Sequence, residues 1–263
     1  MLVAHAALKA VFFSPAYLVH VALPVERATR GLVTTVTLAG AIEWAVLVGV
    51  LMLGVGALRP RDLGLTGASL RRALPILAAL WAALQVAHVS VGSVVGPVDL
   101  AGPPSAAAWA GPRLQAVVGS GLIEETLYRG FLLVQVYAWL RRRRSRESAL
   151  AWAVVATSLY FGLNHVPAGL RAGHGLASAL GYAGYAALGG ALFASLYLRT
   201  GNLFVAAGAH ALINDPMAMA STAIDPSLVA LVGVSVLLLA WPWLAQRLGR
   251  GFTIGTVEGT PAL

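Results

Sequence analysis

The sequence predicts an all-α fold, a polytopic transmembrane helical bundle of about eight spans, and three observations carry that expectation. Of 263 residues, 59% are apolar and only 11% charged, whereas a soluble domain carries about 25% charged residues. The apolar residues fall in long blocks, each near or above the roughly 20 residues that cross a bilayer core about 30 Å thick. Short stretches of Pro, Gly and Arg separate the blocks, among them Arg59-Pro60-Arg61-Asp62, Gly102-Pro103-Pro104 and the run Arg141-Arg142-Arg143-Arg144-Ser145-Arg146.

The spans are expected at 8–24, 32–58, 73–95, 114–140, 148–164, 176–198, 202–220 and 226–244. The first is the weakest, being short and interrupted by Pro15 and His20. It lacks the basic start and small-residue cleavage site of a signal peptide, so it is expected to stay as an anchor. The last nineteen residues read as a polar tail, and no repeat or second soluble domain is visible. The chain divides into N-terminal transmembrane helices (1–112), a central core (113–220) and a last helix with its tail (221–263). Ala186, Gly190 and Ala194, like Ala187, Ala191 and Ser195, recur every four residues. Small residues at that spacing let membrane helices approach closely, and helix packing is their reading.

Charge excludes some functions and orients the chain. A net charge of +8 would suggest nucleic acid in a soluble protein. Here the basic residues cluster between apolar blocks, where the positive-inside rule accounts for them, and no nucleic-acid partner is expected. With the N-terminus cytoplasmic, the inside loops hold Arg59, Arg61, Arg71, Arg72, the five arginines of 141–146, Arg199, Arg247 and Arg250. The outside loops hold Arg27, Arg30, Arg113 and Arg171. Both termini are therefore expected in the cytoplasm, in the cytoplasmic membrane of a prokaryote. The chain has no cysteine, which excludes a disulfide framework, a thiolate nucleophile and a thiolate-held metal.

An ionisable group at mid-membrane costs roughly 2.5–3.5 kcal/mol on insertion scales, so it points to function. The fourth span holds Glu124, Glu125 and Arg129, with Glu124 about 15 Å along the helix from Leu114. The fifth ends on Phe161-Gly162-Leu163-Asn164-His165, and the seventh holds His210 and Asn214, one turn apart on one face. Convergence of spans 4, 5 and 7 on one wet cavity is the arrangement expected. Glu125 and Arg129 stand at i,i+4 and can pair along the helix. Glu124, about 100° round from Glu125, is left free as a general base to activate water. His165 and His210 could orient that water, shuttle protons or hold a metal. Asn214 and one histidine could donate to a developing oxyanion. Glu43 and His88 have no motif around them, and each supports the cavity or bonds a neighbouring helix. His5, His20 and His174 lie near expected interfaces and need no role.

These residues carry a resemblance. Glu124-Glu125-Thr126-Leu127-Tyr128-Arg129 is similar to the EExxxR motif of the CAAX-protease and bacteriocin-processing intramembrane peptidases, the CPBP or Abi family. Phe161 to His165 resembles its FxxxH motif and His210 to Asn214 its HxxxN motif, in the family's order and on separate spans. The motif-bearing part covers about 114–220, and the Arg61-Asp62-Leu63-Gly64-Leu65 loop is also similar. The resemblance implies an eight-helix fold, a cavity opening toward cytosol and lipid, and peptide-bond hydrolysis near a substrate's C-terminus or membrane segment. It puts Glu124, His165, His210 and Asn214 at the catalytic centre, with Glu125, Arg129 and Phe161 as its support. The partners it implies are membrane lipid and a peptide or lipidated-protein substrate, while oligomeric state stays open.

Although the family is often labelled metalloprotease, no cofactor is favoured. A zinc ion would take Glu124, His165 and His210, which are enough in number but come from three helices, and would consume the only free base. Other intramembrane protease patterns fail: there is no HExxH and no GxGD, and Val118-Gly119-Ser120-Gly121 lacks the first glycine of GxSG. A proton-coupled transporter would also need ionisable residues at mid-membrane, but no halves with matching broken helices are visible. A catalytically silent immunity or scaffold protein of the same fold is the remaining alternative.

Overall fold

A computed structural model describes residues 1–100, 102, 105–173 and 175–247. His174, Arg250 and the expected tail from 248 onward lie outside the described residues. The chain forms α1 (Leu2–Phe12), α2 (Pro15–Ala28), α3 (Thr35–Val55) and α4 (Gly67–Val95). There follow α5 (106–141), α6 (Arg146–Leu163), α7 (Val166–Arg171), α8 (Leu176–Thr200), α9 (Leu203–Asn214) and α10 (Pro226–Arg247).

Local chemistry sets the helix ends. Thr34, Thr66, Ser105 and Ser145 each accept a backbone N–H of the first turn, as does Asn202 ahead of α9. Such caps satisfy donors that have no partner inside the helix. Ser14 caps Pro15, and there the chain bends by 61° between α1 and α2. Pro15 has no N–H to continue the preceding ladder, which makes this a natural break. Gly201 closes α8 in the left-handed conformation, φ 59°, where a side chain would be strained.

All eight expected spans carry helix, the seventh only as far as Asn214, but not all of them are long and apolar enough to count as crossings. Among the described residues five helices are long and apolar enough to cross a membrane, or six if α1 and α2 count as one bent span. Helix α5 falls short because Glu124, Glu125 and Arg129 interrupt its apolar run. Helix α9, expected over 202–220, stops at Asn214; its twelve residues rise about 18 Å. Asp215 and Pro216 end it, and the chain continues extended.

Helix α5 sits at the centre of the bundle. A Cβ on Gly40 of α3 would stand 2.6 Å from the Gly119 carbonyl oxygen of α5, and one on Gly121 2.8 Å from that of Ala207 in α9. Close backbone approach of this kind is what small residues allow in lipid, where apolar side chains gain little by leaving the solvent. On the other side, Ala186, Gly190 and Ala194 of α8 are buried where α8 packs on α6, as helix packing requires. The two ends of the bundle differ. At one, Leu65, Tyr137, Leu140, Ala149, Tyr197 and Leu203 pack together, and Asn202 donates to the Ser69 carbonyl at 2.8 Å. At the other, Asp99 pairs with Ser221 and the segment after α9 is strapped to α4. There Gln85 donates to the Pro216 carbonyl at 3.1 Å, and His88 Nε2 meets the Ile224 carbonyl at 3.1 Å and Thr222 Oγ1 at 3.0 Å.

Candidate active site

The middle of α5 passes from a π-helical stretch (Gln115–Leu122) through Ile123–Glu125 to a second one (Thr126–Leu133). Leu18–Ala22 and Trp44–Val55 are wound the same way, so the winding by itself does not mark the site. Adjacent glutamates there meet opposite surroundings. The Glu125 side chain is 0% exposed, while that of Glu124 is 18% exposed and lines a pocket of about 660 Å³.

Glu125 is held from two sides. Arg129 Nη1 donates to its Oε1 at 3.0 Å, and His210 Nδ1 lies 2.9 Å from the same atom. Because a carboxylate oxygen only accepts, the Nδ1 nitrogen carries the proton. The other ring nitrogen of His210, Nε2, then points at the pocket, 3.8 Å from Glu124 Oε2. Arg129 is 2% exposed, and its Nη2 donates to the Gly190 carbonyl at 2.6 Å. Its guanidinium stands 5.0 Å over the Phe161 ring and 5.7 Å over Phe193. Phe193 also stacks on His210 at 4.4 Å. A buried pair is stable only with such geometry and extra hydrogen bonds.

The two remaining motifs arrive at the same pocket. His165 lies just beyond α6, and its Nδ1 is 2.9 Å from the Phe161 carbonyl. A carbonyl cannot donate, so Nδ1–H is the donor and Nε2 keeps its lone pair. Asn214 ends α9 and donates through Nδ2 to Ser120 Oγ at 3.2 Å. One turn back, the Ser120 hydroxyl is within 3.3 Å of the Ala116 and Gln115 carbonyls. Spending its proton there makes Oγ an acceptor and fixes which end of the Asn214 amide faces it. The second Asn214 N–H remains for a ligand. The structure thus brings Glu124, His165, His210 and Asn214 to one pocket, with Glu125, Arg129 and Phe161 packed behind it.

The phase argument separated the two glutamates but missed that one imidazole spans them. It also missed the opposite wall, which α1 supplies. His5, assigned no role from sequence, is 1% exposed and lines the pocket with Lys9 and Phe13. Lys9 Nζ is 3.0 Å and His5 Nε2 4.0 Å from Glu43 Oε1, and His5 Nδ1 is 3.3 Å from the Tyr160 hydroxyl. A lone cation in a short apolar helix facing a lone Glu in the next long helix was the available signal. His88 belongs to the strap beyond α9 and not to the pocket. Asp215 and Arg113 stand at the mouth, 3.8 Å apart.

Glu124 and His210 are the pair of donors that could begin a metal site. Among the described residues, however, no group of three His, Asp or Glu side chains is placed to hold a metal ion. His165 and His210 each give their Nδ1–H to a protein oxygen and keep Nε2 free, the arrangement a metal-held histidine also has. Glu124, His165 and His210 are the residues that would hold an ion if one were bound, and no step below runs through one.

Residues 104–215 match the family model described as type II CAAX prenyl endopeptidase Rce1-like. No curated protein and no solved structure matches the chain.

Proposed function

For a chain whose residues 104–215 form a type II CAAX prenyl endopeptidase Rce1-like domain, in an integral membrane protein, we infer an intramembrane endopeptidase. It hydrolyses peptide bonds of membrane-associated or lipidated protein substrates with a water activated by Glu124. The observation that carries this reading is the division between the two glutamates. Arg129 and His210 occupy Glu125, while Glu124 faces the pocket beside the free nitrogen of the same histidine.

The chemistry follows from those atoms. At 3.8 Å, Glu124 Oε2 and His210 Nε2 are too far apart for a direct hydrogen bond, yet one water about 2.8 Å from each can touch both. Glu124 takes a proton from that water, whose oxygen attacks the peptide carbonyl carbon. Its other hydrogen is held by His210 Nε2, which fixes the lone pair toward the carbonyl, and His165 Nε2 stays a further acceptor facing the pocket. The free Asn214 N–H meets the oxygen that becomes negative, a donor set in place before charge develops. When the C–N bond breaks, the proton held by Glu124 passes to the leaving amine, directly or through His210 Nε2. Sequestration from bulk water strengthens each of these interactions.

Purified protein and a reporter peptide test the reading. Glu124→Gln keeps size and hydrogen-bonding capacity but removes the base, and should lower kcat by roughly a hundredfold to ten-thousandfold. Its melting temperature in detergent should stay near that of the parent, because Glu124 is not part of the buried pair. Turnover by Glu124→Gln at the parental rate would end the proposal.

A further inference from the structure

Of the four residues at the catalytic centre, Asn214 alone is exposed. It is the last residue of α9, and Asp215 after it is already extended. A side-chain amide in that position can turn, and a half-turn exchanges its N–H donors for a carbonyl oxygen. At an oxyanion the difference is decisive, because a donor stabilises the developing charge and an acceptor repels it. The helix end alone does not choose between the two.

Ser120 makes the choice. Its Oγ accepts from Asn214 Nδ2 at 3.2 Å, and its own hydroxyl lies 3.3 Å from both the Gln115 and the Ala116 carbonyl. Those two oxygens only accept, so the hydroxyl proton is committed to α5. With that proton spent, Oγ has nothing to offer an amide oxygen. A half-turn of Asn214 would lose a hydrogen bond and set oxygen against oxygen. Ser120 is itself firmly mounted, because the residues on either side of it are pressed by neighbouring helices. A Cβ on Gly119 would stand 3.0 Å from Thr37 Cα of α3, and one on Gly121 2.8 Å from the Ala207 carbonyl oxygen of α9. Ser120 and Glu124 are one turn apart on α5, and both line the pocket. The serine thus ties the amide at the end of α9 to the helix that carries the base.

We propose that Ser120 is a positioning residue for the oxyanion donor: it holds the Asn214 amide with its nitrogen toward α5, so that the second N–H meets the substrate carbonyl oxygen in fixed register with Glu124. Ser120 acts through Asn214 and gives no hydrogen bond to the substrate. The role in the reaction rests on the endopeptidase reading, whereas the hold on Asn214 rests on geometry alone. None of the three motifs includes Ser120, so this part of the site belongs to the chain's own sequence.

Ser120→Ala removes the acceptor, and Ser120→Thr keeps it. With a reporter peptide, Ser120→Ala should lower kcat about tenfold and leave KM within about twofold, the mark of an interaction made in the transition state. Ser120→Thr should recover most of that loss. Asn214→Ala should cost roughly a hundredfold, and adding Ser120→Ala to it should cost nothing more, because the two act as one unit. Parental kcat in Ser120→Ala overturns the proposal. So does an undiminished loss on top of Asn214→Ala, which would make the serine merely structural. A second arm needs no turnover. The chain has three asparagines, Asn164, Asn202 and Asn214, so isotope labelling of asparagine side chains gives three pairs of amide signals in nuclear magnetic resonance, and Asn214→Ala identifies one. Ser120→Ala should move the Asn214 pair toward the position of a free amide, and Ser120→Thr should leave it near the parental one. An Asn214 pair unmoved by Ser120→Ala overturns the proposal. If the parent cuts no peptide while the Asn214 signals behave as stated, the endopeptidase reading fails and the hold of Ser120 on Asn214 stands.

Discussion

The polar centre around α5 and the α4–α10 pair belong to the same bundle, yet they are held by different means. Around α5, Glu125, Arg129 and His210 are fixed by bonds of 2.6–3.0 Å to named partners, the Gly190 carbonyl among them. Between α4 and α10 runs an almost wholly apolar groove of about 650 Å³, lined by Ile76, Leu80, Val229, Val232 and Leu237 among others. In water such a groove would be a liability. In lipid the tails fill it, and an apolar side chain gains little by choosing protein over lipid. Geometry in this protein is therefore specified by its few polar bonds and close backbone contacts, and its apolar surface mainly keeps it in the membrane.

Three substitutions sharpen that contrast, in falling order of expected effect. Arg129→Ala should cost about 3–5 kcal/mol, because it leaves Glu125 charged, buried and unpaired. Detergent melting curves should show a large loss of stability, and a benign Arg129→Ala would mean that the buried pair organises nothing. His88→Ala cuts the strap to Ile224 and Thr222 and should cost about 1–2 kcal/mol. Its effect should reach activity through Asn214, which the strapped segment follows, so kcat for a reporter peptide should fall more than the melting temperature predicts. Val232→Ala, in the groove and 63% exposed, should change stability by no more than about 0.5 kcal/mol. A loss comparable to that of His88→Ala would show that α4 and α10 are held by apolar packing after all.

Much of the centre could be read from residues alone. The i,i+4 relation of Glu125 and Arg129 and that of His210 and Asn214 depend only on helical geometry, and the membrane makes any ionisable group conspicuous. What could not be read is tertiary. Nothing local in Ser120 says that it meets Asn214, 94 residues away. His210 gave no sign that its two nitrogens reach different glutamates. His5 and Lys9 stood in the weakest span, where a bend at Pro15 turns a supposed crossing into two short helices, and only their approach to Glu43 reveals a pocket wall. Fewer than eight helices among the described residues have the length and hydropathy of a crossing, for a related reason. Hydropathy marks apolar blocks, but α9 ends where Asp215 and Pro216 stop it, and α5 exchanges part of its apolar run for the polar centre.

The contact between Lys9 and Glu43 also bears on how the protein is made. Helix α1 rises about 16 Å over its eleven residues and carries a charge near its bend, so it cannot cross the bilayer alone. Its counter-charge lies on α3, more than thirty residues later in the chain. The charge on α1 is therefore compensated only once α3 is beside it, and α1 is expected to take its place in the bundle after α3. Exchanging the partners, with Glu at 9 and Lys at 43, would leave that assembly order intact, whereas Glu43→Ala alone would strand the first helix outside and leave the pocket without a wall.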